Sequence, residues 1–317
     1  MYEFLPEPPR PGSMTCGKIL VCIHGAYCDG QLFAYLASKI SSKGFRVYAI
    51  DLLGHGKSDG VRGDTHFDNS LVSINEVIQA LKNETQNQKL RVEEGNGTHI
   101  NNKPNGSMDN NNTGKNKVFI LGHSLGCTFV LWYVRRFKSS IDGIILMAPY
   151  LRIPTIKKRS DVEPGSLSFL YLFLRRQLAP KKIMAFIDVV PKLQKIGGEE
   201  ISLLLRHRRD NFRYTIRFIV DIVGLRNNKV QEVLKIDLPV LILHGKRDRL
   251  VYPQVSQTLF NMIESQKKGI KLFDCDHWFY HCVFYPELVQ MLSYQSNESD
   301  RNMIVQTITD WINLLSP

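Results

Sequence analysis

Six short apolar runs, rich in β-branched residues, punctuate the chain: Lys18 to His24, Phe45 to Asp51, Lys117 to Leu121, Gly143 to Met147, Pro239 to His244 and Ile270 to Cys275. Most are continuous rather than alternating, which predicts strands buried on both faces. Between them lie longer segments with helical spacing, so the pattern predicts an α/β fold: a mostly parallel sheet with helices on both faces. Two stretches break the rhythm. Asn83 to Asn116 is polar and Asn/Gly-rich, including "NNKPNGSMDNNNTGKN", and reads as a disordered surface insertion. Leu151 to Lys235 contains no strand pattern, and its apolar residues recur at helical spacing, as at Phe212, Ile216, Ile219, Val220 and Val223. It is expected to be a helical cap inserted into the sheet domain. The expected organisation is core over 1–150, cap over 151–235 and core again over 236–317.

Composition adds limits. At 317 residues, with 43% hydrophobic and 22% charged residues, the chain can bury a large core and is not a disordered protein. Its densest apolar run, Phe169 to Leu174, stops at Arg175 and Arg176, well short of the roughly 18 residues that span a bilayer. The start "MYEFLPEPPRPGSMTCG" has no basic segment followed by an apolar one, so an intracellular location is expected. The cysteines at 16, 22, 28, 127, 275 and 282 show no C-x-x-C spacing, which predicts reduced thiols and no metal site.

The chemistry is concentrated at strand ends. "VFILGHSLGC" runs a buried strand into a serine flanked by Gly122 and Gly126, the G-x-S-x-G arrangement in which a strand turns sharply into a helix and exposes a nucleophile. A serine hydroxyl needs a base to take its proton, and the base needs a carboxylate to hold its tautomer. "PVLILHGKRDRLVYP" supplies Asp248 just beyond a strand, and "IKLFDCDHWFYH" supplies His277 just beyond another. The chain order Ser, Asp, His, each after a separate strand, makes Ser124, Asp248 and His277 the candidate nucleophile, acid and base. His281 is an alternative base, four residues on, and Asp274 and Asp276 are weaker alternatives to Asp248 because they share the histidine's own loop. The backbone N–H groups of Ala26, after the strand ending at His24, and of Leu125 are the candidate oxyanion donors. His24 and His123 read as turn-packing residues.

Together "HGAYCDG", "DLLGHGKSDGVRGD", "GHSLG", "LHGKRDRLV" and "DCDHWF" resemble the monoacylglycerol lipase and lysophospholipase branch of the α/β-hydrolases, from Lys18 onward. The pattern G-H-G-x-S-x-G-x-R at Gly54 to Arg62 is more selective than the serine elbow alone. The resemblance implies an eight-stranded sheet, a mobile helical cap and ester hydrolysis of lipid-like substrates without a cofactor. It carries the triad onto Ser124, Asp248 and His277, and the oxyanion donors onto Ala26 and Leu125. Only about seventeen residues precede the first apolar strand, so the two antiparallel edge strands that open such folds are expected to be missing or reduced, leaving about six. Cys127 stands where the family has a small residue, and the Asn-rich insertion has no counterpart.

The expected activity is therefore hydrolysis of an acyl ester such as a monoacylglycerol or lysophospholipid. A thioesterase or acyltransferase would use the same triad, and a non-catalytic lipid or hormone receptor could reuse the fold. Charge adds a possible partner. Residues 151–235 hold 18 Lys or Arg against 8 Asp or Glu, while the rest of the chain holds 23 against 22, so nearly all of the +11 lies in the cap. Clusters at Lys157, Arg175, Lys181 and Arg206 alternate with apolar segments, and Arg213 and Arg217 flank the apolar stripe. That pattern suits an anionic membrane surface. No module for nucleic acid accompanies it.

Overall fold

The computed structural model describes residues 1–5, 17–95, 116–137, 140–153, 174, 177–178, 183–184, 202–203, 206–208, 214–221, 232, 234–280, 282–285, 288 and 298–316. Nine strands lie among them: β1 (Tyr2–Phe4), β2 (Lys18–Ile23), β3 (Arg46–Ile50), β4 (Lys117–His123), β5 (Gly143–Met147), β6 (Ile183–Met184), β7 (Tyr214–Thr215), β8 (Val240–Gly245) and β9 (Lys268–Phe273). Seven form one sheet in the order β1-β3-β2-β4-β5-β8-β9. The six expected strands are all present and mutually parallel. The seventh is β1, antiparallel to β3, with Tyr2 opposite Ala49 and Phe4 opposite Val47. Among the described residues the opening edge is thus one short strand. Three residues suffice for it because Tyr2 and Phe4 project to one side, where they pack on the core, while Glu3 points away.

Period-two alternation sorts each strand between two cores. Ile19, Val21, Val118, Ile120, Ile144, Leu146, Val240 and Ile242 face one layer; Leu20, Cys22, Phe119, Leu121, Ile145, Met147, Leu241 and Leu243 face the other. The first layer is closed by α2 (Phe67–Gly95), α3 (Gly126–Phe137) and α4 (Pro253–Met262), the second by α1 (Ala34–Ser41) and α5 (Glu298–Leu314). The stripe Phe67, Leu71, Ile74, Ile78, Leu81 seats α2, and Ile304, Val305, Ile308, Ile312 seats α5. Each fully buried aliphatic side chain contributes about 1.5–3 kcal/mol.

Two expectations are corrected here. The helix α2 runs to Gly95, so 83–95 is not a loop. Its Glu, Gln, Lys and Arg residues are good helix formers that need no apolar stripe to continue a helix already seated on the core; 96–115 lie outside the described residues. Within 151–235, β6 and β7 pair antiparallel, so the segment does contain strand. A helical turn there starts at Ile216, because Thr215 is its N-cap: extended backbone with the hydroxyl accepting from Phe218 N–H; Phe212 and Val223 lie outside the described residues. Most of that segment, and with it the rest of the expected cap, lies outside the described residues.

Candidate active site

Parallel strands bring their carboxyl ends to one edge of the sheet, and β4 is the central strand of the seven. Ser124 sits at its end, with φ +53°, a left-handed conformation that side-chain-bearing residues adopt at a cost of about 1–2 kcal/mol. The flanking glycines are required by contact. A Cβ on Gly122 would come within 2.8 Å of the Cys127 nitrogen and Gly126 carbonyl, and one on Gly126 within 2.7 Å of the His24 carbonyl oxygen. The elbow is then tied down: Ser124 N–H donates to the Met147 carbonyl at 2.8 Å, and its own carbonyl accepts from Cys127 and Tyr150 at 3.1 Å each. None of the described hydrogen bonds involves Ser124 Oγ, which leaves it available to a substrate.

Asp248, buried beyond β8, takes His277 Nδ1 on its Oδ2 at 2.7 Å. Its Oδ1 accepts from the Leu250 and Val251 N–H groups, both at 2.8 Å, and His244 Nε2 lies 3.1 Å from Oδ2. Burial opposes ionisation of this carboxyl. The neighbouring His277 and the hydrogen bonds from His244 and His277 outweigh that and hold it well below the usual carboxylate range. His277 Nδ1 is therefore the protonated nitrogen in this pairing, and Nε2 is left for a substrate-side proton. The competing aspartates are occupied otherwise. Asp274 is exposed and pairs with Arg247 at 3.4 Å, and Asp276 accepts from the Trp278 N–H at 2.8 Å. His281 lies outside the described residues.

His123 holds His277 against the elbow. Its Nε2 donates to the His277 carbonyl at 3.1 Å and the two rings lie 4.8 Å apart, which ties the His277 loop to the residue before Ser124. Burial, then the neighbouring His277, push its pKa down to about 3, so it stays neutral. It is more than the turn-packing residue its position suggested. His24 does have the expected packing role: Nδ1 donates to the Gly25 carbonyl at 2.8 Å and Nε2 accepts from Leu52 N–H at 3.1 Å, which ties the end of β2 to the loop after β3.

The other expected donors lie beside Ser124. A Cβ on Gly25 would be 3.0 Å from the Ser124 Cβ, so the loop carrying Ala26 backs directly onto the elbow. None of the described hydrogen bonds uses the N–H of Ala26 or Leu125. Ala26 is partly and Leu125 fully buried, and a buried N–H without a partner is costly unless something accepts from it.

The glycine-rich loop from Gly54 to Arg62 is structural scaffolding for this edge. Gly54 and Gly56 have φ +76° and +51°. Asp51 gathers the loop, its carboxylate accepting from Gly30 N–H at 2.6 Å and Lys57 N–H at 2.8 Å. His55 is buried, and burial pushes its pKa down to about 3.

Local sequence does not mark His244 or His123 as site residues. The signal for His244 was its place as the last side chain of β8, four residues before Asp248; a lone histidine in an apolar run is otherwise read as core. Among the described residues no cluster of side chains could hold a metal ion, and the five described cysteines are buried free thiols. No described helix is long and apolar enough to cross a membrane.

Comparison with known proteins places this edge among relatives. The chain is 21% identical over 297 residues to a monoacylglycerol lipase of Mycolicibacterium smegmatis, covering 93% of this chain and 87% of that one. It is 23% identical over 295 residues to the human monoglyceride lipase, covering 88% and 81%. Among solved structures it superposes on the Paleococcus ferrophilus monoacylglycerol lipase with a TM-score of 0.64 at 22% identity, covering 98% of each chain. The family described as Hydrolase_4, serine aminopeptidase S33, matches residues 16–92 and 106–286. With a seven-stranded, mostly parallel sheet and a serine elbow on its central strand, the chain belongs to that family of α/β-hydrolases.

Proposed function

We propose that this chain is a carboxylester hydrolase that cleaves acyl esters of lipid-like substrates through a serine acyl-enzyme, with Ser124 as nucleophile, His277 as base and Asp248 as acid. The observation that carries the reading is the buried His277–Asp248 pair at 2.7 Å, whose loop is bonded to His123, the residue before a strained, half-buried serine. In the reaction, Ser124 Oγ attacks the ester carbonyl carbon while its proton passes to His277 Nε2. Asp248 stabilises the resulting imidazolium, and the Ala26 and Leu125 N–H groups receive the oxyanion. Collapse returns that proton to the departing alcohol and leaves an acyl group on Ser124. Water, deprotonated by the same histidine, then releases the acid. The relatives named as monoacylglycerol and monoglyceride lipases support a lipid ester as substrate class.

The direct test is labelling with a fluorophosphonate followed by peptide mapping. Modification confined to Ser124 supports the reading, and an unlabelled protein sinks it.

Chain-length preference follows from the 151–235 segment, whose described apolar residues Leu151, Ile153, Ile216, Phe218 and Val220 are buried. An apolar enclosure rewards each buried methylene by about 0.8 kcal/mol, so two such groups suffice for roughly tenfold. The decanoyl p-nitrophenyl ester is expected to exceed the acetyl ester at least tenfold in kcat/KM. Equal values would remove the acyl pocket.

Membrane docking through the basic cap belongs to the same proposal, with one correction. Arg217 does not reach a headgroup, because its guanidinium is paired with the buried Asp64, and Arg208 lies 4.3 Å over the Tyr285 ring. Leu174 and Leu178, four residues apart and 55% and 87% exposed, flank the Arg175 cluster and favour a surface contact there. Vesicles of anionic lipid are expected to co-sediment the protein at low salt, and reversal of Lys157, Arg175, Arg176 and Lys181 to release it. Equal binding to neutral vesicles would leave the cap without this role.

A further inference from the structure

The loop that carries Ala26 is strained at its next residue and anchored from outside the sheet. Tyr27 has φ +63°, in the left-handed region that a tyrosine occupies only when its surroundings hold it there. Its N–H donates to the Tyr214 hydroxyl oxygen at 2.5 Å across 187 residues of sequence. Tyr214 belongs to β7, in the segment between β5 and β8, and is itself fixed on several sides. Its ring stacks on Phe218 at 4.1 Å and 14° and meets the Tyr27 ring edge-on at 5.5 Å. The next residue binds the glycine-rich loop: Thr215 N–H donates to the Gly63 carbonyl at 3.0 Å, and its hydroxyl to Asp64 at 2.7 Å. Arg217 closes the same carboxylate from a second direction through Nε at 3.1 Å and Nη2.

We propose that Tyr214 is a positioning residue for the oxyanion loop: by accepting from the Tyr27 N–H it fixes the Ala26–Tyr27 peptide, and so keeps the Ala26 N–H aimed at the carbonyl carried by Ser124. The inference rests on the proposed hydrolase reading. It makes the docked 214–218 segment part of the catalytic apparatus, because the oxyanion site is complete only while β7 is seated. The expected consequence is specific. A hydroxyl lost from Tyr214 leaves the ester free to bind but weakens the hold on a tetrahedral oxyanion, which forms only in the transition state.

The test compares wild type with Tyr214→Phe, with active sites counted by fluorophosphonate titration so that kcat refers to reactive serines only. Expected for the variant are a 10- to 100-fold fall in kcat on p-nitrophenyl butyrate, KM within about threefold, and a parallel loss of affinity for phenylboronic acid, whose adduct on the serine places an oxygen where the oxyanion sits. The ratio of boronate affinity to KM does not depend on how much of the variant is folded. A kcat within twofold of wild type, or a lower kcat with boronate affinity unchanged, overturns the proposal. A second measurement needs no variant: the Tyr27 amide of the wild-type protein should exchange with solvent more slowly than the unpartnered Ala26 amide, and equal exchange also overturns it. If wild type is not labelled by fluorophosphonate, the hydrolase reading fails and this inference with it. If wild type is labelled and Tyr214→Phe behaves like it, only the role of Tyr214 falls.

Discussion

Ser124→Ala is expected to lower turnover of acyl esters by on the order of 10⁴-fold or more while the protein stays folded. The substitution keeps the Cβ and removes an oxygen that makes none of the described hydrogen bonds, so no buried partner is orphaned. The elbow offers a sharper check. Ser124 is held at φ +53°, and alanine would be held there at the same cost, whereas glycine populates that region freely. Ser124→Gly should therefore be as inactive as the alanine variant yet more stable than it by about 1 kcal/mol. Kinetics with a medium-chain ester and thermal unfolding of the three proteins together decide the matter. Residual turnover within tenfold of wild type in either variant would assign the nucleophile elsewhere. An alanine variant as stable as the glycine one would mean that the elbow stores no strain.

Asp248→Asn is expected to cost on the order of 10⁴ in kcat, with the fold retained. An asparagine can still present its carbonyl oxygen to the Leu250 and Val251 N–H groups, which hold Oδ1 in place. It then presents an NH₂ to His277 Nδ1, where the carboxylate had accepted, and so drives the imidazole to the wrong tautomer. The same substitution has a signature in stability against pH. The folded Asp248 carboxyl lies below its ordinary value because the influence of His277 and the bonds from His244 and His277 exceed the opposing effect of burial. A depressed folded pKa favours the fold in the ionised form. That contribution is complete above the unfolded value of about 4 and is lost as the pH falls toward the folded one. Wild type should therefore lose more stability than Asp248→Asn on acidification from about pH 5 to about pH 2. Parallel acid limbs would show that the folded carboxyl is not held below its unfolded value. Should His281→Ala be as inactive as Asp248→Asn and His277→Ala active, the base would be His281.

The six parallel strands were legible because each is a continuous apolar run, and a strand covered on both faces has no polar positions to confuse its period. β1 was not, because three residues with a single outward charge carry no pattern; what makes Tyr2–Phe4 a strand is the free edge of β3. The extension of α2 past Leu81 failed for a related reason. Its residues form helix by propensity on a turn already nucleated by Phe67 to Leu81, and propensity without an apolar stripe looks like loop.

For the site, residue types and order nominate Ser124, Asp248 and His277, since a strand end, a glycine pair and a short loop are local facts written in consecutive residues. Local spacing also kept Asp274 and Asp276 in a subordinate place, and the structure gives each a different partner. What spacing could not reveal is every contact made across the fold. His123 holds the His277 carbonyl over 154 positions, Asp64 receives Arg217 over 153, and Tyr214 takes the Tyr27 N–H over 187. Each of these residues has an ordinary role when read in its own neighbourhood: a turn histidine, a loop aspartate, an arginine on a basic face, a tyrosine among helically spaced apolar residues. Their contacts depend on a distance between segments that share no periodicity, and that distance is set only when the sheet brings its carboxyl edge together and residues 214–218 pack against the loops at that edge.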